Sequence, residues 1–337
     1  MRLSLMLALA AAVAMPVEAR AQDCAEAPSR TLRSHTFMYP AIIDSAFIDT
    51  LFSVRTSGRY EVVPNIPIGS STTEITSFDL GEGINFELAL SDRFNVGVGF
   101  LGRGVVGLNG RAIATQGVLY SYGANLDAGY RIARIEESGT QVSVRAEVFG
   151  LQGGGRISLL PFIRAIRDDP AGDVAVALLN FGDLLVTPVS RLGAAASLNV
   201  AQVLSQVFSV QASFRLDWRR TTESPYVPSQ RARVDISSTA WIPQVGVMVG
   251  MIPIGWPVAF SAEYRLSAQD KESSTSPARH LAILAAYYAA RPDLQVGPAV
   301  AGEFGLPAIQ GVDANGNPQG SDKGTATSAQ LVMRYFW

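Results

Sequence analysis

The sequence predicts an all-β protein: a transmembrane antiparallel up-and-down β-barrel of about twelve strands, with about ten to fourteen compatible with the pattern. Three observations predict it. Apolar residues recur at every second position through most of the chain. The connections between these alternating segments are short and long in turn. The apolar content is high, yet no uninterrupted stretch suits a membrane-spanning helix.

The composition excludes several classes. The 337 residues carry 27 Lys+Arg against 29 Asp+Glu, a net charge of -2, and are 48% hydrophobic and only 17% charged. Mean hydropathy is +0.19. Disorder requires the opposite balance. A nucleic-acid partner requires a basic excess that is absent. One cysteine, Cys24, cannot build a disulfide scaffold.

The elements follow in order. Residues 1–21 have the form of a cleaved signal peptide: Arg2, an apolar core from Leu3 to Met15, and Ala19-Arg20-Ala21 as the cleavage pattern. Residues 22–45 form an N-terminal segment ahead of a barrel over 46–337. Its strands are expected near 46–55, 74–90, 94–106, 116–132, 140–150, 189–203, 206–218, 234–250, 258–268, 278–290, 294–304 and 326–337. The alternation is explicit in several. Ile84, Phe86, Leu88 and Leu90 share one face, with Asn85 and Glu87 on the other. Phe208, Val210, Ala212, Phe214, Leu216 and Trp218 oppose Ser209, Gln211, Ser213, Arg215 and Asp217. The opening strand rests on Ala46, Ile48, Phe52 and Val54. The faces of 280–290 are ambiguous. Long connections are expected near 56–73, 107–115, 151–188, 219–233, 269–277 and 305–325.

One window imitates a membrane helix. Ala240 to Phe260 contains Gln244 as its one conventional polar side chain. Pro243, Pro253 and Pro257 would each remove a helical hydrogen bond. Period-2 alternation then continues from Val258 to Leu266. Two strands joined by the proline-rich turn are expected. A secreted sandwich or propeller also alternates, but its strands are usually about 5–6 residues.

If the apolar faces meet lipid, the intervening faces line a lumen, because an Arg or Lys facing lipid at midplane would cost about 2–4 kcal/mol. The lumen-facing candidates are Glu87, Asp127, Arg131, Arg145, Glu147, Arg191, Arg215, Asp217, Glu263, Arg265, Glu303 and Arg334. Three strands place opposite signs two residues apart, at Arg145/Glu147, Arg215/Asp217 and Glu263/Arg265. Either a charge ladder guiding polar solutes or a self-neutralising network is consistent with this. The 151–188 connection is too apolar for a solvated loop. A lid or constriction formed by Phe162, Arg164, Arg167, Asp168, Asp169, Phe181 and Asp183 is expected, with a cap over the rim as the alternative.

Candidate chemistry is sparse. Gly97-Val98-Gly99-Phe100-Leu101-Gly102 matches a dinucleotide fingerprint, but Arg103 to Gly107 is poor helix material, so small residues on a crowded inner face are expected instead. His35 and His280 are the two histidines. Neither sits in a constellation for acid–base or metal work. No cofactor, metal or catalytic residue is expected.

The signal peptide and the terminal Leu331-Val332-Met333-Arg334-Tyr335-Phe336-Trp337, with an aromatic end and apolar residues at every second position before it, carry a resemblance. The chain resembles the porin- and channel-like outer-membrane β-barrels of Gram-negative bacteria, which commonly end in Phe where this chain has Trp337. The resemblance implies a periplasmic place for 22–45, short periplasmic turns and long extracellular loops. It implies outer-membrane lipid as surroundings, and contact with the barrel assembly machinery through Tyr335, Phe336 and Trp337. The expected function is passive passage of small solutes of unknown identity, with no nucleic acid involved. A closed structural or surface-interaction barrel is the first alternative. A barrel hydrolase using His280 is the second.

Overall fold

Period-2 alternation becomes twelve barrel strands in a computed structural model of the chain. They are β1 (Leu51–Gly69), β2 (Ser71–Ser91), β3 (Phe94–Gly107), β4 (Val118–Ile135), β5 (Thr140–Ile157), β6 (Val186–Val203), β7 (Phe208–Glu223), β8 (Val234–Gly250), β9 (Val258–Lys271), β10 (Arg279–Tyr288), β11 (Leu294–Leu306) and β12 (Gly324–Phe336). Each pairs antiparallel with its sequence neighbours. β12 returns to β1, from Phe336 opposite Leu51 to Thr325 opposite Val62, and closes the barrel. The structure describes residues 30–115, 117–157, 186–224, 226–227, 230–231, 234–271, 274–275, 278–306, 310–313 and 318–337. The signal-peptide residues 1–21, Cys24, and the loop candidates Phe162, Arg164, Arg167, Asp168, Asp169, Phe181 and Asp183 lie outside the described residues.

The outer face is apolar. Leu88, Leu126, Leu198, Leu216, Leu284 and Leu331 are all exposed there. Phe208, Tyr288, Tyr335 and Trp337 ring the short-turn end, and Tyr60, Tyr122, Trp218, Trp241 and Phe304 ring the other. From Phe208 to Trp218, along a strand rising about 3.4 Å per residue at a tilt of about 40°, is about 25 Å, the height of an outer-membrane apolar band. No described helix is long and apolar enough to cross a membrane, which says nothing of strands.

The apparent membrane helix over 240–260 is β8, a 3-10 turn at Ile252–Ile254 and β9. Gly255 closes the turn in the left-handed region, at φ 86°. Pro243 pairs toward β7 but interrupts the ladder toward β9, where the register passes from Trp241/Ala268 to Gln244/Arg265.

Three expectations are corrected. The region 56–73 is not a long loop. It forms the upper halves of β1 and β2, with a bulge between Val63 and Ile66 where Asn65 takes φ 53°. The connection expected over 151–188 is shorter, because 151–157 belong to β5 and 186–188 to β6. The first strand begins at Leu51 rather than at 46. Residues 37–49 pack inside the barrel at its short-turn end, so the expected periplasmic segment is in large part a plug. Its apolar side chains explain the placement. Phe37, Tyr39, Ala46 and Phe47 pack with Ala201, Val203 and Phe336. Ala41 joins Ile283, Ala285, Tyr287, Ala299 and Val332, and Met38 joins Met248, Ala259 and Ala289.

Candidate functional site

The plug has no regular secondary structure over 37–50. Its buried backbone groups therefore need partners from elsewhere, and barrel side chains supply them. Gln295 brackets Tyr39, accepting from its N–H at 3.0 Å and donating to its carbonyl at 2.9 Å. Arg334 donates to the carbonyls of Tyr39 at 3.0 Å and Pro40 at 2.7 Å. Glu263 accepts from the N–H groups of Ala41, Ile42 and Ile43 at 2.7, 2.9 and 3.3 Å, and from Ser261 Oγ at 2.9 Å. Gln211 donates to Met38 O at 2.9 Å and Gln141 to Ala46 O at 2.6 Å. In sequence these glutamines are simply the polar members of alternating strands. Nothing local marks them as plug contacts.

Beyond the plug the interior is charged. Arg145 holds Asp127 and Glu87, each at 2.8 Å. Glu87 also accepts from Asn95 at 2.8 Å. Arg215 gathers Glu147 at 2.6 Å, Asp217 at 2.6 Å and the plug's Asp44 at 3.4 Å. Arg59 binds Glu61 at 2.8 Å and Glu303 at 2.9 Å. Arg103 pairs with Asp79. Of the three pairs spaced two apart, Arg215/Asp217 forms. Arg145 and Glu147 instead bond groups on other strands, and Glu263 holds the plug rather than Arg265. Arg131 lies at the short-turn rim with Asp92 at 2.6 Å. Arg191 reaches Thr221 Oγ1 at 3.4 Å. Asp44, Arg55, Arg59, Asp79, Arg103 and Arg279 join this interior without having been singled out by alternation.

The glycines of 97–102 fit the barrel, not a nucleotide. A Cβ on Gly97 would strike the Asp127 carboxylate, so glycine keeps the Arg145 cluster in place. His280 Nδ1 lies 2.6 Å from the Tyr264 hydroxyl, on the outward face. His35 is buried just ahead of the plug, its Nδ1 2.8 Å from Gln206 O. No serine–histidine pair and no grouping of three or more metal-ligating side chains occurs among the described residues.

The larger lumen cavities among the described residues are of similar size. One of about 360 Å³ is lined by Tyr39 to Ser45 of the plug, by Glu87, Asp127 and Glu147, and by Arg55, Arg145, Arg215, Arg265 and Arg334, among others. A second of about 330 Å³ is lined by Asp44, Asp217, Arg219, Arg265, Arg279 and Glu303. A larger apolar groove on the outside, between Tyr60, Tyr264, Leu284 and Phe304, faces the lipid layer.

Asp49 is a plug group that burial brings to titrate near neutral pH. Burial pushes the Asp49 carboxyl up from 3.8 to about 6, against the pull of Arg30. Tyr39, Glu87 and Arg145 also act on it. Its docked value lies above the ordinary one, so docking is strongest below about pH 4 and weakens as pH rises through about 6. Two units correspond to about 3 kcal/mol. Amide protection of residues 38–46, corrected for intrinsic exchange, should fall between pH 4 and 7. Asp49→Asn should flatten that dependence.

No protein-family model matches the chain, and no curated protein matches it in sequence. Solved structures match in fold. An outer membrane channel from Pseudomonas putida F1 is similar at TM-score 0.49 and 12% identity, over 89% of this chain and 100% of that one. A FadL homologue of Pseudomonas aeruginosa gives 0.45 at 12% identity, over 87% and 91%. The translocator domain of the autotransporter NalP from Neisseria meningitidis gives 0.48 at 9% identity, over 87% and 90%. The chain folds as an outer-membrane-type β-barrel. What the barrel does is argued from its lumen.

Proposed function

We propose that the chain is a channel in the outer membrane of a Gram-negative bacterium, passing small solutes passively and closed at its short-turn end by residues 37–50. One observation carries this. The plug is attached to the wall by side-chain hydrogen bonds and apolar contacts rather than by strand pairing, and water-sized space lined by charged groups lies directly beyond it. An attachment of this kind is reversible without breaking the barrel ladder. A purely structural barrel would fill the same space with packed side chains. The outward Tyr264–His280 pair has no serine hydrogen-bonded to it among the described residues, and no catalytic role is proposed.

Single-channel recording of the refolded, heat-modifiable chain in a planar bilayer tests the proposal. Stepwise conductance with long closed periods is expected. Silence from folded protein across the voltage range would instead support the closed structural barrel. A lipid-release assay on the same sample should show no hydrolysis.

A further inference from the structure

The lumen charges are unevenly paired. Arg145 accounts for Glu87 and Asp127. Arg215 accounts for Glu147, Asp217 and Asp44. Arg59 accounts for Glu303, and the plug amides for Glu263. Among the described residues, Arg55 and Arg265 are left with neither a carboxylate partner nor a hydrogen bond. The register explains why. Arg55 stands between Gly83 on β2 and Val332 on β12. Arg265 stands between Gln244 on β8 and Leu281 on β10. The carboxylates whose field reaches Arg265 are Glu303, Asp217 and Asp44, and each already holds another arginine. Arg334 donates to two plug carbonyls, which carry no charge.

These three guanidinium groups line the same cavity of about 360 Å³, and Arg55 feels the charge of both others. Asp44, Glu87, Asp127 and Glu147 line the same cavity, each held by Arg145 or Arg215, so the charge left without a counter-charge is that of Arg55, Arg265 and Arg334, which focuses a positive potential on the space between them. The guanidinium fork matches the geometry of a carboxylate or phosphate oxygen pair. At about 30 Å³ per water the cavity holds about a dozen waters, room for a small organic anion.

We propose that this cavity binds a small oxyanion, the carboxylate or phosphate group of a solute, between Arg55, Arg265 and Arg334, and that the channel therefore favours anions. The binding stands on the cavity alone. The selectivity rests on the channel function proposed above.

Titration calorimetry of the refolded full chain at low salt, with inorganic phosphate and separately with succinate, tests the site. Saturable binding is expected for at least one probe, and which one distinguishes phosphate from carboxylate recognition. Arg55→Gln or Arg265→Gln should weaken it about tenfold, and the double variant should abolish it. Neither side chain makes a bond the fold uses, so heat-modifiability should survive in both. Arg55→Lys should retain part of the affinity. Reversal potential in a KCl gradient tests selectivity: wild type should favour chloride, and the double variant should lose that preference. Binding without conductance upholds the site and overturns the channel. Conductance with neither anion binding nor anion preference overturns the site and keeps the channel. Unchanged affinity in the double variant overturns the assignment to these residues.

Discussion

Replacing Glu263 with alanine should raise the open probability of the barrel about a hundredfold. Its carboxylate is the acceptor for three consecutive plug amides, of Ala41, Ile42 and Ile43. Hydrogen bonds to a charged group contribute about 1.5–3 kcal/mol each, and losing one partner leaves the other desolvated. The three are not additive, since water enters the vacated space. A net loss of about 3 kcal/mol is about a hundredfold in the docked-to-undocked ratio. Apart from Ser261 on the same strand, the groups Glu263 bonds belong to the plug, so the barrel ladder should be unaffected. Glu263→Gln keeps the volume and one acceptor oxygen and should fall between. Open probability and amide exchange at 41–43 should move together. An unchanged closed-state lifetime in Glu263→Ala would show that the plug is held by its apolar contacts alone.

Arg145→Met should have the largest effect on stability, about 3–5 kcal/mol, the usual result of stripping a buried pair of its counter-charge. Glu87 and Asp127 would then face each other in the bore with no cation. The triple variant Glu87→Gln/Asp127→Asn/Arg145→Met should recover most of that loss, because the cost lies in the stranded carboxylates. Urea midpoints of the heat-modifiable band measure both. A single variant as stable as wild type would mean that water or ions already screen the cluster.

These two clusters show how far the sequence could be read. Strand identity was legible because lipid on one side and water on the other impose a strict period of two, and the inner-face charges followed by exclusion from lipid. The faces of β10 were ambiguous for a physical reason. Its inward residues Ile283, Ala285 and Tyr287 pack against the plug, so both faces are apolar. Ala46 and Ile48 alternate as a strand would, but only because they too are buried. The region 56–73 reads as a long connection, while the ladder absorbs Gly58, Pro64, Asn65 and Pro67 through one bulge between Val63 and Ile66. The pairing of charges was beyond reach. Glu87 on β2 meets Arg145 on β5, with two strands between them, and that distance is set by the curvature of the closed barrel rather than by local spacing.

The plug's anchors come from β5, β7, β9, β11 and β12, through Gln141, Gln211, Glu263, Gln295 and Arg334. Arg334 belongs to β12, the strand that closes the barrel against β1 and carries the aromatic triplet. A chain whose final strand has not zipped onto its first cannot present all five anchors on one circumference. Seating of residues 37–50 on all five anchors therefore requires the closed barrel.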